Sequence, residues 1–231
     1  MSRIASNLQV VISLIEKVSL EVGGQVKLLA VSKTQSSEII REAYAAGQHR
    51  FAENYLQEAM AKMAELNDLA IEWHFIGPLQ ANKTKYVSES FAWVHSIDRE
   101  KIARRLAEAR PSNLPPLNIC VQVNISDEDT KSGVAPEEAQ ALCEAVAAFP
   151  NLHLRGLMTI GRPHLSEPEQ RSQFHAMKAL FDQLNASGLQ MDTLSMGMTD
   201  DMRAAVLEGA TMVRVGSAIF GARPRGYIPL S

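Results

Sequence analysis

Ile4, Leu8, Val11, Ile12, Ile15 and Val18 recur three to four positions apart, the spacing of a single helix face, which predicts an amphipathic helix over residues 3–21. Gly23 and Gly24 end it. Beyond that point short apolar runs alternate with longer amphipathic stretches. The runs KLLAVSK, QHRFAEN, EWHFIG, AWVHSID, LNICVQVNI, LHLRGLMTI, DTLSMG and TMVRVGSAIFG read as strands. Helical spacing lies between them over 37–46, 55–66, 82–89, 99–109, 136–148, 167–186 and 199–208. This alternation predicts an α/β chain with a parallel sheet. Eight strands in 231 residues favour closure into a (β/α)8 barrel, over about 27–221, rather than an open doubly wound sheet. No Gly/Ser- or Pro-rich linker interrupts the pattern, and 222–231 is too short for a second unit, so residues 1–231 are expected to form one domain.

Barrels of this kind carry their chemistry at the carboxyl ends of the strands. The predicted ends bear Lys33, Glu53 with Asn54, His74 with Gly77, Ser96 with Asp98, Asn124, Met158 with Thr159, Ser195 with Gly197, and Arg214 with Gly216. Many of these polar residues are expected simply to start loops or cap helices, Asp98 among them. Lys33 is different. Strand alternation puts it on the face of Leu29 and Val31, which points into a barrel. An amine in an apolar mouth loses its proton more readily and becomes a nucleophile. The alternative is a long stem that carries the ammonium out into solvent, and the lysine alone does not choose between them.

The last two strands supply the complement. LSMGMTDD runs from an apolar strand through Gly197 into a helix expected near Thr199, and VRVGSAIFG repeats the device with Gly216 and Ser217. Small residues beside a helix start suit an anion, and phosphate sites in this fold favour these two loops. The carboxylates of Asp200 and Asp201 are expected to point outward. A phosphate clamp opposite a Schiff-base lysine suggests pyridoxal 5'-phosphate: the aldimine on Lys33, the phosphate on Ser195, Gly197, Met198, Gly216 and Ser217. Arg214 then points at the ring nitrogen, which stays unprotonated beside a guanidinium.

Composition narrows the alternatives. A net charge of −3 gives no footprint for nucleic acid or an acidic membrane. No apolar run approaches the ~18 residues of a membrane span, and polar residues interrupt the N-terminal apolar positions, so neither a span nor a secretory segment is expected. Cys120 and Cys143 form no disulfide framework, and the histidines have no metal-ligand spacing. A cytoplasmic monomer is expected.

The stretches LLAVSKT, FAENYLQEA, EWHFIGPLQANK, VNISDEDTKSG, LRGLMTI, LSMGMTDDM and VRVGSAIFGAR, in this order, resemble the pyridoxal phosphate homeostasis proteins. That family is similar to the barrel domain of alanine racemase without its second, β-rich domain. The resemblance implies cofactor binding with Lys33 as the aldimine residue, and storage, buffering or delivery of cofactor, with apo-enzymes as recipients, rather than robust catalysis. A racemase-like enzyme is the alternative; it would need a second proton-transfer group, and Tyr44, Tyr55, Tyr86 and Tyr227 fall in predicted helices or the tail. Gln35 and Ser36 stand where family members often carry lysine and proline. Asn54 reads either as a ring contact or as a helix cap, Lys131 as a loop lysine or a second amine, and His74 as a core histidine. Met158, Met196 and Met198 are expected to pack against the cofactor.

Overall fold

The computed structural model describes residues 2–125 and 132–221. Eight parallel strands close into a barrel in sequence order: β1 (Lys27–Val31), β2 (Arg50–Glu53), β3 (Glu72–Phe75), β4 (Trp93–Ile97), β5 (Leu117–Gln122), β6 (Leu152–Met158), β7 (Thr193–Ser195) and β8 (Met212–Val215). Closure is made by β1 on β8, with Leu29 opposite Arg214 and Ala30 opposite Val215. The helices are α1 (Arg3–Val22), α2 (Ser37–Ala45), α3 (Leu56–Glu65), α4 (Thr84–Ser90), α5 (Glu100–Ala109), α6 (Ala139–Ala147), α7 (Glu167–Ala186), α8 (Met202–Leu207) and α9 (Ser217–Phe220). A 3-10 turn, Pro136–Glu138, leads into α6.

Period-two alternation sorts the strand residues into two layers. Leu28, Ala30, Phe51, Phe75, Val94, Leu194, Met196, Val213 and Val215 face outward and join the large apolar layer beneath the helices. Leu29, Ala52 and Met212 face inward, as do Trp93, Cys120 and Met158. The interior also encloses His74, His95, Ser195 and Arg214. A packed barrel interior is normally filled by branched aliphatic side chains, so these four mark the interior as a place where polarity is kept.

Helix α1 is fixed at both ends by local chemistry. The Ser2 hydroxyl accepts the Ala5 N–H, and Gly23 ends the helix in the left-handed region at φ 69°. Its face of Ile4, Leu8, Val11, Ile15 and Val18 is buried, and the Asn7 amide donates to the Ile219 carbonyl at 2.9 Å, tying α1 to α9 behind the β8 loop.

Three expectations are corrected. The segment Ser217–Phe220, read with the last strand, is a helical turn. The helix expected over 199–208 starts only at Met202, because Asp201 turns its carboxylate back onto the Met198 N–H at 2.5 Å and so forms the entry to the helix itself. Asp98 is not a cap: α5 begins after Arg99, and Asp98 pairs with the Arg99 guanidinium at 2.7 Å. No helix among the described residues is long and apolar enough to cross a membrane.

Candidate functional site

At the carboxyl end of the barrel a cavity of about 290 Å³ opens between the ends of β1, β7 and β8. It is lined by Val31, Lys33 and Gln35 on one side and by Met198, Thr199, Asp200, Arg214, Gly216 and Ser217 on the other. Lys33 stands two residues past the end of β1, and Val31, the last strand residue and on its face, packs with the inward residues Leu29 and Ala52. Alternation therefore brings Lys33 to the lining of this cavity.

The turn that carries Lys33 is closed by the Gln35 N–H on the Ser32 carbonyl at 3.0 Å. Thr34 sits within it at φ 67°. On the far side of this backbone, between the barrel wall and α3, lies a buried charge cluster. Lys62 donates to the Ser32 carbonyl at 2.8 Å, to Glu53 Oε1 at 2.8 Å and to Glu58 Oε1 at 2.5 Å. Glu58 Oε1 also accepts the Thr34 N–H at 2.5 Å, and the Ser32 hydroxyl donates to Glu53 Oε1 at 2.6 Å. Burial raises the Glu53 carboxyl to about 7 despite the adjacent Lys62 ammonium and Ser32 hydroxyl. Its other oxygen, Oε2, is buried with no partner among the described residues, a natural place for that proton.

Across the cavity, the Ser217 hydroxyl donates to the Thr199 hydroxyl at 3.2 Å, joining the β7 and β8 loops. The N–H groups of Ser217 and Ala218 open α9 before its first internal bond, which runs from Ile219 to the Gly216 carbonyl at 3.0 Å. Gly216 lies against β1, where an added Cβ would stand 3.2 Å from the Val31 carbonyl. Gly197 serves packing: it holds φ 92°, and a Cβ there would come within 2.5 Å of that of Ala205 in α8.

Arg214 forms the floor. Its side chain is buried, and its Nη1 donates to Ser195 Oγ at 2.9 Å and its Nη2 to the Thr159 carbonyl at 2.8 Å. Burial lowers this guanidinium to about 10, against the attraction of Asp201. From Ser195 a chain of bonds crosses the interior: Ser195 Oγ to His95 Nδ1 at 3.0 Å, His95 Nε2 to His74 Nδ1 at 2.9 Å, and His74 Nε2 to Glu72 Oε1 at 2.9 Å. Glu72 stands at the amino end of β3 beside Arg50, 3.2 Å away. Burial lowers both imidazoles, His95 well below the usual range, so both are neutral at pH 7. The proton pattern follows. The Glu72 carboxylate only accepts, so His74 Nε2 carries hydrogen and His74 Nδ1 accepts from His95 Nε2–H; His95 Nδ1 then accepts the Ser195 O–H, which leaves Ser195 Oγ to accept from Arg214. Every bond points from the mouth toward the base of the barrel.

Lys33, Met198, Arg214, Gly216 and Ser217 thus meet at one cavity, and Gly197 supports it from behind. Ser195 is turned inside, between Arg214 and His95. Met198 gives its N–H to Asp201, whose carboxylate is buried rather than pointing outward. Asn54 lies in a neighbouring cavity of about 280 Å³ with Ile76, Gln122 and Asn124. It caps no helix: α3 starts after Tyr55 without a side-chain cap, and Asn54 Oδ1 is buried without a partner among the described residues. Met196 faces the helix layer and Met158 packs with Trp93 and Cys120, so of the three methionines only Met198 lines the cavity with Lys33. Lys131 and Tyr227 lie outside the described residues. Sequence reasoning missed Thr199, His95, Glu58 and Lys62; the last two stand four apart on α3, a spacing that also fits any surface pair.

The model of the alanine racemase N-terminal domain matches residues 1–224. The pyridoxal phosphate homeostasis protein of Pseudomonas aeruginosa is 54% identical over 229 residues, covering 98% of each chain. The chain belongs to this family. The protein of the same name from Escherichia coli is 50% identical over 202 residues, 86% of each chain. Among solved structures, PipY of Synechococcus elongatus with PLP bound superposes with a TM-score of 0.84 at 36% identity, covering 94% of this chain and 100% of that one. Alanine racemase from Corynebacterium glutamicum, at 20% identity and a TM-score of 0.72, shares the fold; this chain spans 63% of it.

Proposed function

We propose that this protein binds pyridoxal 5'-phosphate in the cavity between β1, β7 and β8 and holds it as an intracellular reserve, for storage, buffering or delivery. The observation that carries this reading is one cavity with a primary amine, Lys33, on one wall, the paired hydroxyls of Thr199 and Ser217 on the other, and the buried Arg214 guanidinium between them. When bound, the cofactor supplies an aldehyde carbon that condenses with a primary amine, C=N replacing C=O as water leaves.

Lys33 is the amine in this reading. The phosphate is held by the Ser217 and Thr199 hydroxyls, by the first N–H groups of α9 and by the backbone close to Gly216, with Met198 lining the cavity and Gly197 shaping the loop. Arg214 donates toward the ring and takes no proton from it, so the ring is a poor electron sink. That favours keeping the cofactor over transforming substrates on it. Ser195 acts by holding Arg214, and Asn54 stands in the adjoining cavity rather than at the phosphate. The proposal includes a cytoplasmic monomer that passes cofactor to apo-enzymes.

The test adds pyridoxal 5'-phosphate to purified protein, records the visible spectrum, reduces with borohydride and maps the labelled peptide. A yellow protein labelled at Lys33, with no label in Lys33→Ala, is expected; label on another lysine overturns the site. Holo-protein is then incubated with L-amino acids in deuterium oxide. Exchange of the α-proton on the order of 1 per second or faster would identify a racemase-like enzyme. Activation of an added apo-enzyme without exchange supports the carrier.

A further inference from the structure

We infer that Glu58 and Lys62, one turn apart on α3, form a latch that grips both peptide groups flanking Lys33 and so sets the direction in which its amine enters the cavity; this rests on Lys33 being the cofactor's amine. The peptide before Lys33 is held through the Ser32 carbonyl, which accepts from Lys62 Nζ at 2.8 Å. The peptide after it is held through the Thr34 N–H, which donates to Glu58 Oε1 at 2.5 Å. The two grips are joined, because Lys62 also donates to that same Glu58 oxygen.

The turn needs such a hold. Thr34 has φ 67°, a region where a β-branched residue is an outlier and where turns ordinarily place glycine. Left alone, the residue would relax to negative φ by turning the Lys33–Thr34 peptide over, which loosens the backbone that carries Lys33. Both latch residues are buried against the wall. Apolar side chains could fill the same gap more cheaply, but they could not bond a carbonyl and an amide on either side of one residue. The charges are therefore placed to fix a backbone conformation, and Glu58 and Lys62 act as positioning residues.

The test compares two ligands on full-length protein. Pyridoxal 5'-phosphate condenses with Lys33, whereas pyridoxine 5'-phosphate has the same ring and phosphate with an alcohol in place of the aldehyde and cannot. Glu58→Ala is expected to weaken the aldehyde ligand by about tenfold, the loss of one charge-assisted bond, and to leave the alcohol ligand unchanged. Adding Thr34→Gly should restore the lost affinity, since glycine takes a positive φ without strain. Glu58→Gln, which retains an acceptor oxygen and the packing, covers the case of an unstable alanine variant; a smaller selective loss, again rescued by Thr34→Gly, is expected. Equal loss for both ligands, no loss for either, or absence of rescue overturns the latch. Borohydride mapping separates this from the underlying reading: wild-type label at Lys33 with unaltered variants ends the latch alone, and label elsewhere ends both.

Discussion

Two buried polar networks meet the cavity from opposite sides of the barrel wall, and they solve different problems. The one inside runs Arg214–Ser195–His95–His74–Glu72, with neutral members between a guanidinium at the mouth and a half-exposed carboxylate at the base. The one outside packs Lys62 against Glu53 and Glu58 within the span of two strand ends and one helix. A chain of neutral groups with one consistent direction spreads its bonds across the interior and orients one terminal side chain. A compact charge cluster concentrates its energy and fixes backbone. Long reach calls for the first arrangement, and local rigidity calls for the second.

The largest effect expected from breaking this comparison is Lys62→Met. It leaves Glu53 and Glu58 buried without their cation, and removing one partner of a buried pair costs about 3–5 kcal/mol. Urea denaturation monitored by circular dichroism measures it. A loss below about 1 kcal/mol would show that water reaches the cluster and that the two networks do not differ in kind. The interior chain should be more forgiving. His95→Leu strands the Ser195 and His74 groups it joined, at a cost of about 1–3 kcal/mol, and it should also loosen Arg214. A stability loss exceeding that of Lys62→Met would reverse the comparison.

The pH dependence sharpens the contrast, because the two networks respond with opposite sign. Glu53 is raised in the folded protein from 4.5 to about 7. Between those values the native state holds more protons than the unfolded chain, so this stabilising contribution is complete below 4.5 and is lost as pH rises toward 7. His74 and His95 are lowered from 6.5. The unfolded chain binds their protons first, so stability from the interior chain is lost as pH falls below 6.5. Denaturation midpoints followed from pH 5 to 8, as the difference between wild type and each variant, check this. The advantage of wild type over Glu53→Gln should shrink as pH rises, and its advantage over His95→Leu should shrink as pH falls. Parallel trends would refute the assignment.

Element by element, the sequence was most informative where one periodicity governed. The α1 face and the βα alternation were legible because burial on one side leaves a direct mark on residue order. Lys33 was legible for the same reason: strand phase alone put it inward. The β7 loop was less so. LSMGMTDD reads as a strand feeding a helix, yet Asp201 bonds back to the Met198 N–H and delays the helix by three residues, a choice between local partners that composition does not rank. The SAIF turn was read as strand because branched and aromatic residues suit a buried helical turn equally well.

By itself the sequence determined the order of strands and helices, the closed barrel they make, and the amine and small-residue loops at its carboxyl end. These follow from short-range rules: side-chain period, turn residues and the right-handed crossover of parallel strands. Only the tertiary structure decided which polar residues share a cavity and which serve one another instead. Ser195 belongs to Arg214 and His95, Asn54 stands in the adjoining cavity, and Glu58 with Lys62 holds the turn of Lys33. The physical reason is that a strand end has two faces and several neighbours brought from far along the chain. Which of them a polar group meets depends on register and closure, and neither is written in the residues beside it.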